Sequence, residues 1–155
     1  MKNPSVNVKS VLVTGCPSGI GFACAAVLRD AGWCVFPTAR KQEDLDHLQA
    51  NGFTPVRLKV ADSDSVQQAI EQTLELSKGQ LGGVVNNAGF GQPGALEDLS
   101  REAMQYQFEV NVIGMQQLTN MLIPVFKKQG WGRDCEHQFC SGARIVFFYG
   151  HLFSV

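Results

Sequence analysis

One segment of the sequence indicates the fold most directly, because it joins a predicted strand to a predicted helix. It reads Thr14-Gly15-Cys16-Pro17-Ser18-Gly19-Ile20-Gly21. Residues 8–14 read as a buried strand, and an apolar helical face begins after the glycines. Gly15 would make the tight turn, Gly19 would let the backbone approach a pyrophosphate, and Gly21 would let helix and strand pack closely. An ordinary glycine-rich turn is the alternative, but the place between strand and helix favours phosphate binding at the helix N-terminus.

Outside this loop, strand-like and helix-like segments alternate along the chain. Further strands are predicted at 33–38, 54–60 and 83–86, and helices at 20–31, 43–50, 62–74 and 100–128. Short links between alternating strands and helices mean a parallel sheet with right-handed crossovers. The sequence therefore predicts an α/β fold, a Rossmann-type doubly wound parallel sheet that is incomplete, with about five strands in the order 3-2-1-4-5.

Composition narrows the class of protein. The chain has 155 residues and a net charge of −1, which gives no reason to expect nucleic acid or a membrane as partner. The five cysteines are odd in number and form no CxxC pair, as expected of reduced thiols in a cytoplasmic protein. Cys135, His137 and Cys140 could in principle bind zinc, but a fourth ligand is missing, so no metal site is predicted.

The spacing T-G-x-x-x-G-I-G resembles the short-chain dehydrogenase/reductase family. Asn86-Asn87-Ala88-Gly89 follows the fourth predicted strand and matches the N-N-A-G motif of that family. Thr14 matches the threonine that braces the first turn, and Asn111 matches the helix asparagine that holds a water in the proton relay. The resemblance covers residues 8–133 and implies an NAD(P)-dependent oxidoreductase that transfers hydride between the nicotinamide and an alcohol or carbonyl substrate.

The residues predicted to form the site come from these motifs. The predicted cofactor-binding residues are Thr14, Gly15, Ser18, Gly19, Ile20, Gly21, Arg40, Asn87, Ala88 and Gly89, and the predicted catalytic residue is Asn111. Asn111 also interrupts an otherwise apolar stripe on the long helix, formed by Met104, Phe108, Met115, Leu118 and Leu122. A buried amide needs hydrogen-bond partners, so a core asparagine bonded to backbone is an equally compatible role.

The end of the second strand favours NADP over NAD as the cofactor. An NAD enzyme usually carries an acidic residue there for the ribose 2′-OH, whereas Ala39 stands at that position and Arg40 follows it. A guanidinium suits a 2′-phosphate, although Arg40 and Lys41 could also be a solvated turn. The family often has an aspartate near the adenine after the third strand, and Lys59 replaces it here.

The resemblance stops after Arg133, so residues 1–133 are taken as a partial nucleotide-binding domain and 134–155 as an aberrant tail. Within these 155 residues no Tyr-x-x-x-Lys motif occurs, because Val110 follows Tyr106 at that spacing and Phe153 follows Tyr149. The segment 144–149 is predicted to form the fifth strand instead. Ser141 or Ser154 could be proposed as a catalytic serine, but nothing in the sequence places either one.

A shifted reading frame would explain the tail. If the codons of residues 134–140 are read one base later, each allows two amino acids, and one choice at every codon spells Ile-Val-Asn-Ile-Ser-Ser-Val. That is the fifth strand of the family. The hypothesis is a one-base insertion after Arg133, and the DNA sequence from codon 130 onward tests it.

Three functions stay open at this point. The chain is an oxidoreductase by descent that lacks its catalytic pair, a non-catalytic nucleotide-binding protein, or a non-functional gene fragment. Its partners would be a nicotinamide dinucleotide and, in the intact family, a small alcohol or carbonyl and a second subunit. Without the helix that the family places beside it, the long helix should leave Met121, Ile123, Val125 and Phe126 partly uncovered, so self-association is expected.

Overall fold

The computed structural model of the chain describes residues 8–137 and 147–150, and a single six-stranded sheet runs through them. The strands are β1 Ser10–Val13, β2 Cys34–Ala39, β3 Val56–Arg57, β4 Gly83–Asn86, β5 Arg133–His137 and β6 Phe147–Gly150, in the order β3-β2-β1-β4-β5-β6. The first five are parallel, and β6 runs antiparallel to β5. The predicted Rossmann-type sheet and its order 3-2-1-4-5 are therefore confirmed.

Helices cover both faces of this sheet. They are α1 Gly19–Asp30, α2 Gln42–Ala50, α3 Ser63–Leu76, α4 Arg101–Phe108 and α5 Gly114–Gln129, with a short 3-10 turn at Leu96–Asp98. Side chains alternate across each strand. Leu12 of β1 therefore joins the core with α3 and α5, whereas Val11 and Val13 join the core with α1 and α2. Because helices cover both faces of the sheet, each strand must be apolar on both faces, which is typical of a doubly wound fold.

The third helix, predicted at 62–74, begins at Ser63. The Asp62 carboxylate accepts a hydrogen bond from the Ser65 backbone N–H at 3.2 Å, which makes Asp62 the N-cap. The strand before it is shorter than predicted, since only Val56–Arg57 of the segment 54–60 pairs with β2. Leu58 and Val60 are still buried, so the apolar pattern indicated burial correctly and overestimated the strand.

The long helix predicted at 100–128 is interrupted. A π-helical segment, Glu109–Ile113, separates α4 from α5. Such a segment inserts a residue into the helical repeat and rotates whatever precedes it. The predicted apolar stripe therefore holds only in its second half, where Leu118 and Leu122 are fully buried, whereas the Phe108 side chain is 55% exposed. Phe126, expected to lie partly uncovered, is in fact buried.

The position of the fifth strand corrects the sequence analysis. Residues 133–137 lie beside β4 as the fifth strand, with Gly83 opposite Arg133 and Asn86 opposite Glu136, whereas that strand was predicted at 144–149, of which the structure describes 147–149. Gly130 ends α5 with φ +72°, and the chain enters β5 three residues later. So short a crossover delivers these residues to the sheet whatever their side chains, because backbone groups make the ladder. The sheet therefore continues across the boundary expected after residue 133. Residues 147–150, which overlap the strand predicted at 144–149, form β6 and pair with β5.

Candidate nucleotide-binding site

A cleft of about 630 Å³ opens at the carboxyl ends of the parallel strands. Four loops line it, at residues 15–21, 38–40, 58–61 and 87–90, which follow β1, β2, β3 and β4, with further contributions from Asp44, Tyr106 and Val110. In open α/β sheets ligands bind outside the carboxyl ends of the strands, where the strand order reverses. Here that point lies between β1 and β4, directly below the glycine loop.

Each of the three glycines in the loop occupies its position for a different geometric reason. Gly15 has φ +69°, and a Cβ on it would lie 2.8 Å from the Ala88 Cα. A Cβ on Gly21 would collide with the Gly15 carbonyl oxygen and the Asn87 amide, so α1 needs glycine to pack this closely on the loop. Gly19 has φ +63°, but nothing lies within 4 Å of its Cβ direction. Gly19 is therefore the glycine that leaves space at the N-terminus of α1.

Thr14 joins the first and fourth strands at the edge of the site. Its Oγ1 accepts hydrogen bonds from the backbone N–H groups of Asn87, at 3.0 Å, and of Ala88, at 2.9 Å. The Asn87 side chain returns to this turn by donating to the carbonyls of Thr14 and Gly15. Thr14 is buried and does not line the cleft, so it holds together the two loops that do.

Asn111 lies in the π-helical segment and is fixed by two reciprocal hydrogen bonds. Its Nδ2 donates to the Phe90 carbonyl at 2.8 Å, and its Oδ1 accepts from the Phe90 backbone N–H at 3.1 Å. The side chain also faces Gly89, where a Cβ would lie 3.2 Å from Oδ1. Asn111 thus holds the loop after β4 in place, and the side chain itself lies outside the cleft lining.

The end of the cleft beside β2 and β3 carries two cations and one carboxyl group. Arg40 and Lys59 line the cleft together with Asp44, and both cationic side chains are exposed. Lys59 Nζ lies 3.6 Å from Asp62 Oδ2, and Lys41 pairs with Glu43 at 3.2 Å. Within the described part of the chain no ion pair engages the Arg40 guanidinium. Of the ten predicted cofactor contacts, nine line the cleft and Thr14 stands behind it.

Sequence reasoning missed Asp44, Phe90, Tyr106 and Val110 in the cleft lining. It also missed Arg57, whose guanidinium donates to the Arg40 carbonyl at 3.2 Å. The contact of Arg57 with the Arg40 turn becomes evident only from the pairing of β2 with β3, because Arg57 lies opposite Ala39 in that register.

A buried carboxyl group lies at the other end of the sheet. Asp134 Oδ1 accepts a hydrogen bond at 3.0 Å from the Asn86 Nδ2, which also donates to Thr119. Burial raises the pKa of Asp134, and the neighbouring Glu136 raises it further, while the bonds from Thr119 and Asn86 act in the opposite direction. The group has hydrogen bonds, but it forms no ion pair among residues 8–137 and 147–150, so these residues compensate its charge poorly.

Burial raises the pKa of three cysteine thiols in the described part of the chain. Burial raises the pKa of the Cys16 thiol to about 12, although it lies within the glycine loop. Cys24 and Cys135 instead line a separate apolar hollow of about 270 Å³ beside α1, and burial raises both their pKa values. A thiol with a raised pKa stays protonated at neutral pH and is inert.

Two further properties concern the described residues only. No helix among them is both long and apolar enough to cross a membrane. No group of three or more histidine, cysteine or acidic side chains is gathered there as for a metal ion. Cys140, Ser141 and Ser154, considered above for zinc binding and catalysis, lie outside the residues that the structure describes.

The sequence matches the family model described as short chain dehydrogenase over residues 9–133. Among curated proteins, the uncharacterized oxidoreductase YbbO of Escherichia coli is 41% identical over 125 residues, which are 81% of this chain and 46% of that protein. The chain thus spans about half the length of this relative.

Solved structures agree with the sequence match. A short-chain dehydrogenase from Streptomyces avermitilis superposes with a TM-score of 0.77 at 34% identity, covering 84% of this chain and 49% of that one. Actinorhodin polyketide ketoreductase, solved with NADPH, gives a TM-score of 0.76 at 27% identity, covering 85% of this chain and 53% of its own.

Proposed function

Since the chain belongs to the short chain dehydrogenase family, we propose that it binds NADP in the cleft above the glycine loop. The observation that carries this proposal is the open space at Gly19, at the N-terminus of α1, inside a cleft of about 630 Å³. The free N–H groups and the positive end of the helix dipole would hold the pyrophosphate there. Pro17, Ser18 and Ile20 line the same place and would form its walls.

The choice of NADP over NAD rests on the end of β2. Ala39 offers no acceptor for a ribose 2′-OH, while the Arg40 guanidinium beside it is exposed and lines the cleft. A planar guanidinium can bind a 2′-phosphate through two parallel charged hydrogen bonds. The NADPH bound to the ketoreductase that shares this fold is consistent with this proposal.

For the chemistry, we propose the reaction type of the family, in which bound nicotinamide exchanges hydride with an alcohol or carbonyl carbon. The N-N-A-G loop after β4 would lie along the nicotinamide half, with Asn111 keeping Phe90 and Gly89 in position. Asn111 is the proposed catalytic contribution of this chain. The Tyr-x-x-x-Lys motif, which would move the hydroxyl proton, does not occur within these 155 residues.

A non-catalytic nucleotide-binding protein is the second candidate, because hydrogen bonds join the loops around the cleft while no Tyr-x-x-x-Lys occurs within these 155 residues. A non-functional gene fragment is the third. We propose a cytoplasmic location, which the free thiols of Cys16, Cys24, Cys34 and Cys135 would suit, with a small alcohol or carbonyl and a second subunit as partners of the intact enzyme.

Titration calorimetry with NADP and with NAD tests the binding proposal. We expect saturable binding of both with a lower Kd for NADP. Absence of binding by either dinucleotide would favour the gene-fragment reading. Oxidation of a panel of secondary alcohols in the presence of NADP separates the other two candidates, since any turnover above background contradicts the binding-only proposal.

A further inference from the structure

Arg57 connects the end of β2 to the beginning of α2. It lies on β3 opposite Ala39, and one of its guanidinium nitrogens, Nη1, donates to the Arg40 carbonyl at 3.2 Å. The other, Nη2, donates to the Gln42 side-chain oxygen. Gln42 is the first residue of α2 and itself donates to Asp46 one helical turn later. A single planar side chain thus spans both sides of the turn that carries Arg40.

The turn has few other restraints at this point. Ala39 is held by the sheet, since its carbonyl accepts from the Leu58 backbone N–H at 3.0 Å. The Arg40 side chain, by contrast, is exposed and makes no ion pair within the described part of the chain. The position of its guanidinium therefore depends on where the backbone of Arg40 lies, and long side chains lose much entropy when a ligand must order them.

Arg57 does not line the nucleotide cleft. It lines a separate polar groove on the other side of the turn, together with Gln42 and Gln68. Both of its bonds go to groups that belong to the turn, one of them the carbonyl of Arg40 itself. Any influence on a ligand at Arg40 must therefore pass through the position of the turn or through the long-range charge of Arg57.

We propose that Arg57 is a positioning residue for 2′-phosphate recognition: it fixes the Arg40 turn and thereby sets the preference for NADP over NAD. This inference rests on the proposed function and adds to it a residue that does not touch the cofactor. The NAD complex lacks the 2′-phosphate, so its affinity should depend little on Arg57.

The experiment measures the Kd of NADP and of NAD by calorimetry in wild type and variants. Arg57→Met should raise the Kd of NADP about tenfold, the equivalent of one charge-assisted hydrogen bond, and that of NAD less than about twofold. Arg57→Lys keeps the charge but cannot span both acceptors, so it should resemble Arg57→Met. Gln42→Leu removes one of the two contacts and should give a smaller change in the same direction.

Two comparisons make the test specific. Arg29→Met is the matched control, because Arg29 Nη1 donates to the Asn51 carbonyl at the opposite end of α2 and lies outside the cleft lining. It should leave the NADP to NAD ratio unchanged. In an Arg40→Met background, Arg57→Met should have no further effect on NADP, since a residue that acts through Arg40 cannot act once Arg40 is gone.

The outcomes separate this inference from the proposed function. If wild type binds NADP preferentially and Arg57→Met keeps that preference, the positioning role is wrong and the proposed function stands. Recovery of wild-type selectivity by Arg57→Lys, or additive effects in the double variant, would mean that only charge matters, which also overturns it. If wild type binds neither dinucleotide, the proposed function fails and this inference fails with it.

Discussion

Strands β4 and β5 are parallel neighbours in one sheet, yet they have opposite compositions. The first reads Gly-Val-Val-Asn and the second Arg-Asp-Cys-Glu-His. Val84 is buried between helices and sheet, as a strand covered on both faces requires. Its partner across the ladder is Asp134, which is also buried, with 9% exposed against 1% for Val84, and which brings a carboxyl group into the same layer.

The difference shows that both the local sequence pattern and the tertiary contacts of the backbone determine which residues form this sheet. Up to α5, apolar periodicity and loop chemistry agree with the fold at each step. In β5 the backbone follows the same path although the side chains oppose it, because the end of α5 and the ladder with β4 determine where these residues go. A polar central strand is consistent with the hypothesis of a shifted reading frame, which the DNA sequence will test.

If the region before β5 is an intact nucleotide site, Gly19→Val should have the largest effect of any single change. A branched side chain would fill the space at the start of α1, and we expect the Kd of NADP to rise more than about a hundredfold, as for loss of several phosphate contacts. Gly79→Val is the matched control, since Gly79 has a similar φ of +77° and equally open surroundings away from the cleft. It bears the same backbone strain and should bind normally. Equal binding by both variants would reduce the loop to a turn.

Arg40→Asp sharpens the comparison at the other end of the same site. The change removes the cation for a 2′-phosphate and supplies an acceptor for a 2′-OH. We expect the ratio of the two Kd values to shift toward NAD by about thirtyfold, or about 2 kcal/mol. Lys41→Asp, at an exposed residue already paired with Glu43, serves as control for loss of nearby charge. An unmoved ratio in Arg40→Asp would make Arg40 a solvated turn residue.

Asp134→Asn should make β5 more similar to β4, because it removes a charge from a buried position of the strand. The amide can still accept from Asn86, but it carries no charge, so the free energy of unfolding at pH 7 should rise by about 1–2 kcal/mol. The sign follows from the pKa of Asp134, which burial and Glu136 raise in the folded state. Below the unfolded pKa, near 4, the carboxyl group is protonated in both states and does not lower the free energy of unfolding. As the pH rises through the folded pKa, the buried group becomes charged and the free energy of unfolding falls.

Denaturant titrations of both proteins between pH 4 and pH 7.5 provide the measurement. The gap between variant and wild type should be small at the acidic end and widen toward neutrality. Glu97→Gln, at an exposed carboxyl group in the 3-10 turn, should track wild type throughout. A gap that does not change with pH would show that the Asp134 charge is already compensated.

The smallest effect concerns solubility. Among the described residues, large apolar side chains are exposed in three places. They are Ile20 and Val27 on α1, Leu76 at the end of α3, and Tyr106, Phe108, Val112 and Ile113 on α4 and the π-helical segment. The apolar residues of α5 expected to promote association are better covered than that, with Phe126 in the core. We still expect concentration-dependent association in light scattering. Val27→Lys and Val112→Lys should each reduce it in part, and a monomeric wild type at all concentrations would contradict the expectation.

Much of the fold was predictable from the sequence because its signals are local. The glycine loop, β4 at Gly83–Asn86 and the Asp62 cap each depend on residues within a few positions of one another. The same holds for the nine predicted cofactor-binding residues that line the cleft, which follow from knowing which loops end at the same edge of a parallel sheet. The bounds of β3 and the break in the long helix were not predictable in this way, since pairing partners and packing decide them.

Local sequence thus specified the alternation of strands and helices, the glycine loop and the amide at Asn111, since periodicity and backbone conformation are properties of neighbouring residues. Only the tertiary structure decided that 133–137 forms the fifth strand, that Asp134 is buried, that Phe108 is exposed, and that Arg57 reaches the Arg40 turn. Each of these depends on segments between 17 and 50 residues apart in sequence, or on the rotation of a helix about its axis. Burial and contact across such distances are set by how layers stack, and no local pattern contains them.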